Sequence, residues 1–356
     1  MKRGVVSEID QGQTPLYIAQ AIKSRPALLV PLVCIISMAS FLLPRYQPYF
    51  FSFEHGHSDL RTRLLSQKLD TPFDGLVFVK ITENELEQMT YRSPIDRAWI
   101  ADLVTQVDAL NPSAIGLDIL IDQPTEPLKD QKLIDALNAA NAPIILASVD
   151  SRFKLTDRQR LYNKNFIKKS NALSGFVNVP ADEDDIVREL PVTKDDAHPI
   201  SFADVVVTAA TGKKLSPPTF KERIDWLKKP DNKQSAFSEP IAALVKAAPR
   251  EINLTGKIAL IGADIPGIDK HKTPFADEGR VKSGEAGTRI LAHIIAQKLE
   301  GRHVKMLPDI LEFILYILAA LAGILIAANK GVLAKKARIF SYLGILAIAI
   351  DAISFK

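Results

Sequence analysis

The chain has 356 residues, 47% of them apolar and 24% charged, with a formal net charge of +4. That length exceeds what one compact core normally holds, and so mild a charge, with no basic stripe interleaved with aromatics, argues against a nucleic-acid partner. The single cysteine, Cys34, excludes an intramolecular disulfide and leaves no thiol nucleophile outside an apolar segment.

From the amino terminus, residues 27–43 carry no charge, 307–328 are apolar apart from Asp309 and Glu312, and 339–350 are again uncharged. At 1.5 Å of rise per residue, roughly 17–20 such residues cover most of a bilayer's hydrocarbon core. Three transmembrane helices are therefore predicted, over 27–44, 307–328 and 339–355. The alternative for the first, a cleaved signal peptide, lacks an A-x-A site after it. Lys23 and Arg25 precede the first span, and the loop 329–338 holds Lys330, Lys335, Lys336 and Arg338 with no acid. Lys and Arg mark the cytoplasmic side. Residues 1–26 and 329–338 are thus expected in the cytoplasm and 45–306 on the other side of the membrane, which for the inner membrane of a bacterium is the periplasm.

Within 45–306 the aromatics Tyr46, Tyr49, Phe50, Phe51 and Phe53 suit either an interfacial belt or a core segment. A helix is expected over 59–68 and a buried strand over 73–81, with the run GLVFVKI. A short helical turn at 84–89 follows. Helical spacing of Ile100, Leu103, Val104, Val107 and Leu110 marks 97–110, and Asn111-Pro112 breaks it. Strands at 114–121 and 143–149 bracket an amphipathic helix at 131–140. This alternation predicts an α/β fold, a mixed, mainly parallel sheet flanked by helices. Beyond it come a polar, basic excursion at 151–170, a strand at 175–179, an acidic turn at 181–185 and a helix at 202–210. The segment 212–240, rich in Lys and Pro, is the least regular and reads as strands and connections near an edge. A buried strand at 257–261 then stops at Gly262, a loop with Asp264 and Asp269 runs to Thr273-Pro274, and a helix occupies 287–299.

Ligands of open α/β sheets bind outside the carboxyl ends of the strands, which makes Asp118, Asp122, Asp264 and Asp269 the candidate ligand-binding residues. Each has a structural alternative: Asp118 as a cap for loop amides, Asp264 as a partner for its own loop, with Gly262 permitting a close backbone approach. His271 and the two loop acids match no calcium register. His55 and His57 sit two apart without a third ligand nearby. The run Asp182–Asp185 reads as a solvated turn, with a local ion pair from Asp185 to Arg188. No metal or cofactor is expected. No nucleophile elbow, P-loop, zinc-protease or kinase motif is present, so the chain is expected not to be an enzyme. In the membrane segments Ala319, Ala320 and Gly323 form a small-residue face for helix packing, and Asp351 marks a helix contact or the outer boundary.

Several of these pieces, taken in order, resemble a bacterial periplasmic sensor module, the cyclase/histidine-kinase-associated sensory extracellular domain of type two. LVFVKITENEL stands where that family has its first strand and acidic turn. Pro94, Asp96 and Arg97 stand in the region of its Trp-Pro-Trp-Pro-Arg run, and SAIGLDILIDQP puts Asp118 on its strand aspartate. DEDDIVREL resembles its Asp-x-Asp-Gly-x-x-Arg element through Asp182, Asp184 and Arg188, and GKIALIGADIPGIDKHKTP is the closest match. The resemblance covers about 50–305 and continues into the membrane tail. Three departures stand out: Thr82 in place of the first-strand acid, Tyr91-Arg92-Ser93-Pro94 in place of the tryptophan-rich run, and Asp185 in place of a glycine. The family typically continues into a cytoplasmic cyclase, kinase or phosphatase, and no such domain lies in these residues. The resemblance implies a membrane-anchored sensor, a homodimer, that detects an unknown small-molecule ligand or a partner and relays the change to other membrane or periplasmic proteins. The alternative is a non-enzymatic scaffold of a cell-envelope complex.

Overall fold

The computed structural model describes residues 35, 37–39, 42, 48–192, 200–215, 222–231, 233, 235–275, 284–305 and 308–328. The chain falls into two compact units, Asp59–Val304 and the flanking Met1–Ser58 with Lys305–Lys356. In chain order the elements are α1 (Pro48–Leu65), β1 (Phe73–Ile81), α2 (Glu83–Glu87), α3 (Arg97–Asp108), β2 (Ala114–Asp118), α4 (Pro127–Ala139), β3 (Ile144–Ser148), α5 (Asp157–Lys169), β4 (Leu173–Phe176), α6 (Phe202–Thr211), β5 (Glu222–Arg223), β6 (Phe237–Ser238), α7 (Ala242–Ala247), β7 (Ile258–Ala263), β8 (Lys270–His271), β9 (Glu285–Ala286), α8 (Gly287–Glu300), β10 (Val304–Lys305) and α9 (Asp309–Ala328).

Six strands form one sheet in the order β4-β3-β2-β7-β1-β6, and every pairing in it is parallel. The expected mixed sheet is thus purely parallel in its main part, and the antiparallel pair β8–β9 stands apart from it. Parallel connections need crossovers, which put helices on both faces. Alternation along each strand sorts the core accordingly. Val77, Val79 and Ile81 of β1 face a layer with Ile100, Leu103 and Val104 of α3 and Leu133 of α4. Leu76 and Phe78 face the opposite layer, with Phe202 and Val206 of α6 and Ile290 and Ile294 of α8. Burial of each such side chain contributes about 1.5–3 kcal/mol, so these two layers hold the sheet.

Local chemistry sets the helix ends. Asp96 caps α3 by accepting from the amides of Ala98 (2.9 Å) and Trp99 (3.1 Å). Thr156 and Gln159 form a reciprocal capping box at α5. Gly301 ends α8 in the left-handed region, φ 64°, where a side chain is costly. The irregular 212–240 segment supplies β6, which closes one edge of the sheet. Residues 59–68 were expected to hold a separate helix; they are largely the end of α1, which begins at Pro48 and absorbs part of the aromatic stretch. His55 and His57 therefore lie two apart on a helix, where such neighbours diverge.

Among the described residues no helix is long and apolar enough to cross a membrane. The backbone of α9 is helical over 20 residues, but most side chains of its second half, Ala320 and Gly323 among them, lie outside the described residues. The same holds for 339–355, with Asp351, and for nearly all of 27–44.

The acidic turn is solvated at Glu183 and Asp185, whereas Asp182 and Asp184 are half-buried against Arg188. Arg188 is 3% exposed and makes a two-pronged contact with Asp59 of α1, Nε–Oδ1 2.7 Å and Nη2–Oδ2 2.8 Å. It also donates to Asp182 at 2.7 Å and to Asp184 at 2.7 and 2.9 Å. Asp185, the expected partner, instead sits 3.6 Å from the exposed Lys272. The turn places Asp185 at φ 64°, in the left-handed region, so its side chain leads away from the arginine. A left-handed backbone costs an ordinary residue about 1–2 kcal/mol and glycine almost nothing. Asp185→Gly is expected to raise stability in chemical denaturation by roughly 0.5–1 kcal/mol, the relief of strain exceeding the added freedom of the unfolded chain. A loss of stability would show that the Asp185 side chain holds the turn.

Candidate functional site

Strands β1, β2 and β7 end side by side, with Gly262 of β7 in register with both Lys80 and Asp118. Helix α8 starts directly against this edge. A side chain at Gly262 would place its Cβ 2.2 Å from Thr288 Oγ1, so only glycine lets the helix approach. Thr288 then donates to Asp118 Oδ2 at 2.6 Å and joins β2 to α8. Gly287 repeats the device: a Cβ there would lie 2.3 Å from Asp269 Oδ2. Its amide donates to the Asp269 carbonyl at 3.0 Å, and Asp269 turns the loop at φ 48°. The Asp269 side chain pairs with His271 Nε2 at 2.9 Å.

One residue further on, Arg289 gathers three carboxylates. Its Nε and Nη2 reach the two oxygens of Glu239 at 2.7 and 2.9 Å, Nη2 reaches Asp264 at 2.8 Å and Nη1 reaches Glu285 at 2.5 Å. Lys270 also contacts Asp264, and Lys80 lies 3.4 Å from Glu239. Burial pushes the carboxyl groups of Glu239 and Asp264 up. The guanidinium of Arg289, joined at Asp264 by the Lys270 ammonium, outweighs burial and holds both below the usual range. Two-pronged arginine–carboxylate contacts are the stronger kind, so this cluster fastens the ends of β6 and β7 to α8.

The four candidate acids do not form one site. Asp118, Asp264 and Asp269 meet at the start of α8, each engaged by protein groups. Asp122 lies in the β2–α4 connection, accepts from Gln159 Nε2 at 2.6 Å and lines a groove of about 610 Å³. Thr82, at the position of the family's acid, caps α2 with Glu85 instead. Sequence reasoning missed Thr288, Arg289 and Glu239. The run Gly284–Arg289 held the signal, since two small residues before a helix mark a close approach. Glu239 left none, because its edge strand is two residues long.

These features define a class: a parallel α/β domain covered on both faces, whose carboxyl edge is closed by a helix start and a charged cluster. The CHASE2 domain model matches residues 32–325, and the chain belongs to that family of sensory extracellular domains. No curated protein and no solved structure matched the chain.

Asp118 is the unusual acid of the group. Burial pushes its carboxyl up to about 7; the Thr288 hydroxyl opposes the shift, and the Asp269 charge reinforces it. A carboxyl whose folded pKa is raised from 3.8 gives stability that is complete below about 4 and is lost as the pH rises through about 7. Asp118→Asn mimics the protonated form and removes that loss. Denaturation of the two proteins is expected to diverge between about pH 4 and pH 7, the wild type weakening relative to the variant by up to about 4 kcal/mol, less in proportion to water access. Parallel curves would show that Asp118 stays ionised throughout.

Proposed function

We propose that this protein is a membrane-anchored sensor whose α/β domain lies in the bacterial periplasm, detects a small-molecule ligand or a protein partner, and relays the change to another membrane protein. The CHASE2 match over residues 32–325 carries the reading. The charge pattern around 27–44 and 329–338 supports the orientation, and the hydropathy of 27–44, 307–328 and 339–355 supports three spans of the inner membrane. Helix α8 is the natural lever. It is locked to the ends of β2, β6 and β7, and the chain continues from it toward α9. Ala319, Ala320 and Gly323 favour close packing of α9 with a second helix, which fits a homodimer. The role is non-enzymatic, since the acids at the strand ends are engaged in structural pairs. No cofactor is required.

A second reading, a scaffold subunit of a cell-envelope complex, draws on those same pairs: a rim tied up by Arg289 offers little to a ligand there.

Two measurements on the full-length protein test the reading. A cysteine at the exposed position Lys164, in a Cys34→Ser background, should react with a membrane-impermeant thiol reagent from the periplasmic side only; protection there overturns the orientation. In the same membranes a small-molecule screen should find a compound that stabilises the protein. A stable protein partner recovered by cross-linking, with no stabilising compound, would favour the scaffold.

A further inference from the structure

Asp118 ends β2 with a single hydrogen bond. Among the described residues only the Thr288 hydroxyl donates to it, at 2.6 Å to Oδ2. An ionised carboxylate has about four acceptor sites, so this environment is poorly matched to a charge. The charged groups at the edge do not make up the difference. Asp269 adds a like charge, and His271, held by Asp269 at 2.9 Å, opposes it. The remaining charges are bound to one another: Arg289 to Glu239, Asp264 and Glu285, Lys270 to Asp264, and Lys80 to Glu239. Past the end of β3, Arg152 and Asp150 form a pair of their own. No ion pair to Asp118 exists among the described residues.

The approach of α8 covers this carboxyl. Gly262 brings Thr288 onto the strand ends with no space for a Cβ, and Gly287 seats against Asp269 in the same way. Asp118 is nonetheless half-buried rather than sealed, so a proton can enter and leave. Its charge and the position of the helix start are thereby linked. A state in which α8 lifts away gives the carboxylate the water that the closed state withholds, and that state gains as the pH rises. Burial, opposed by the Thr288 hydroxyl and reinforced by the Asp269 charge, pushes the carboxyl from 3.8 up to about 7. The closed state therefore keeps its full advantage below about pH 4 and loses it progressively up to about pH 7.

We propose that the Asp118–Thr288 contact is a proton-operated latch. A protonated Asp118 keeps the start of α8 closed on β2, and loss of the proton admits water and loosens the first turn of the helix. Acidity is then an input to the domain, acting on the element from which the chain continues toward α9. The latch rests on the sensory reading above only for its role as a signal, since the contact itself belongs to the fold.

The test is hydrogen exchange on the full-length protein in detergent micelles at about pH 4.5 and about pH 7.5, with each rate divided by the intrinsic rate at that pH. Protection of the Ile290 and Leu291 amides, in the first bonded turn of α8, should fall roughly tenfold or more between the two, while α3 keeps its own. Asp118→Asn, which cannot ionise, should hold that protection level at both pH values. Thr288→Ala should lower it at about pH 4.5, and Thr288→Ser, which keeps the hydroxyl, should restore it. His271 is the rival titrating group, and His271→Gln should leave the pH dependence in place. Circular dichroism of each variant is compared with wild type to exclude misfolding. A wild-type protection that does not change with pH, the same change in Asp118→Asn, or its loss in His271→Gln would each overturn the latch and leave the sensory reading intact. A reversed orientation in the thiol-labelling experiment would overturn that reading and leave the latch.

Discussion

The fit of α8 against the end of β7 is the constraint on which the domain depends. β7 is an inner strand, paired on one side with β2 and on the other with β1, so whatever contacts its end touches the middle of the sheet. At Gly262 the helix comes so close that a methyl group would overlap Thr288. That approach lets a threonine hydroxyl reach Asp118 and lets an arginine one residue later reach Glu239 and Asp264. A bulkier residue would push the helix start outward and break both ties at once, leaving half-buried carboxylates without partners. Breaking such a pair costs more than the roughly 0–1 kcal/mol of an exposed ion pair and less than the roughly 3–5 kcal/mol of a fully buried one.

The same arithmetic separates structure from recognition. The acids at the start of α8 look like a binding crevice in the sequence, yet Asp264 is held by Lys270 and Arg289 and Asp118 by Thr288. A ligand there would have to displace charge-assisted bonds already formed. Along the other layer, helices α3, α4 and α5 begin near one another at the same end of the sheet, around Arg97, Asp130 and Tyr162. There two donor atoms of Arg97 lack an acceptor, and a groove opens beside Tyr162.

The fold was legible because its signals were local. The β-branched run of β1, the alternation of strands with helices, and the Asn-Pro break after α3 all follow from chain-level propensities, and the parallel sheet follows from them. The acidic turn was misread for a physical reason. Spacing put Asp185 near Arg188, but a left-handed backbone at Asp185 turned it away, and a long-range partner, Asp59, took its place. The candidate site was legible only in half. Gly262 and the acids stood out as residue types, whereas Glu239 and Arg289, 50 residues apart, meet only through the folding of an edge strand that propensity does not reveal. Arg97 gave no sign of its unpaired edge, because that property arises from how Asp130 spends its oxygens.

The coupling of α8 to the sheet through Gly262 is tested most directly by hydrogen exchange on the full-length protein. In Gly262→Ala the amides of α8 and of the loop 264–273 should lose protection together, while those of α3 and α4 on the opposite layer keep theirs. Unchanged protection in α8, or a loss spread evenly over both layers, would contradict the account.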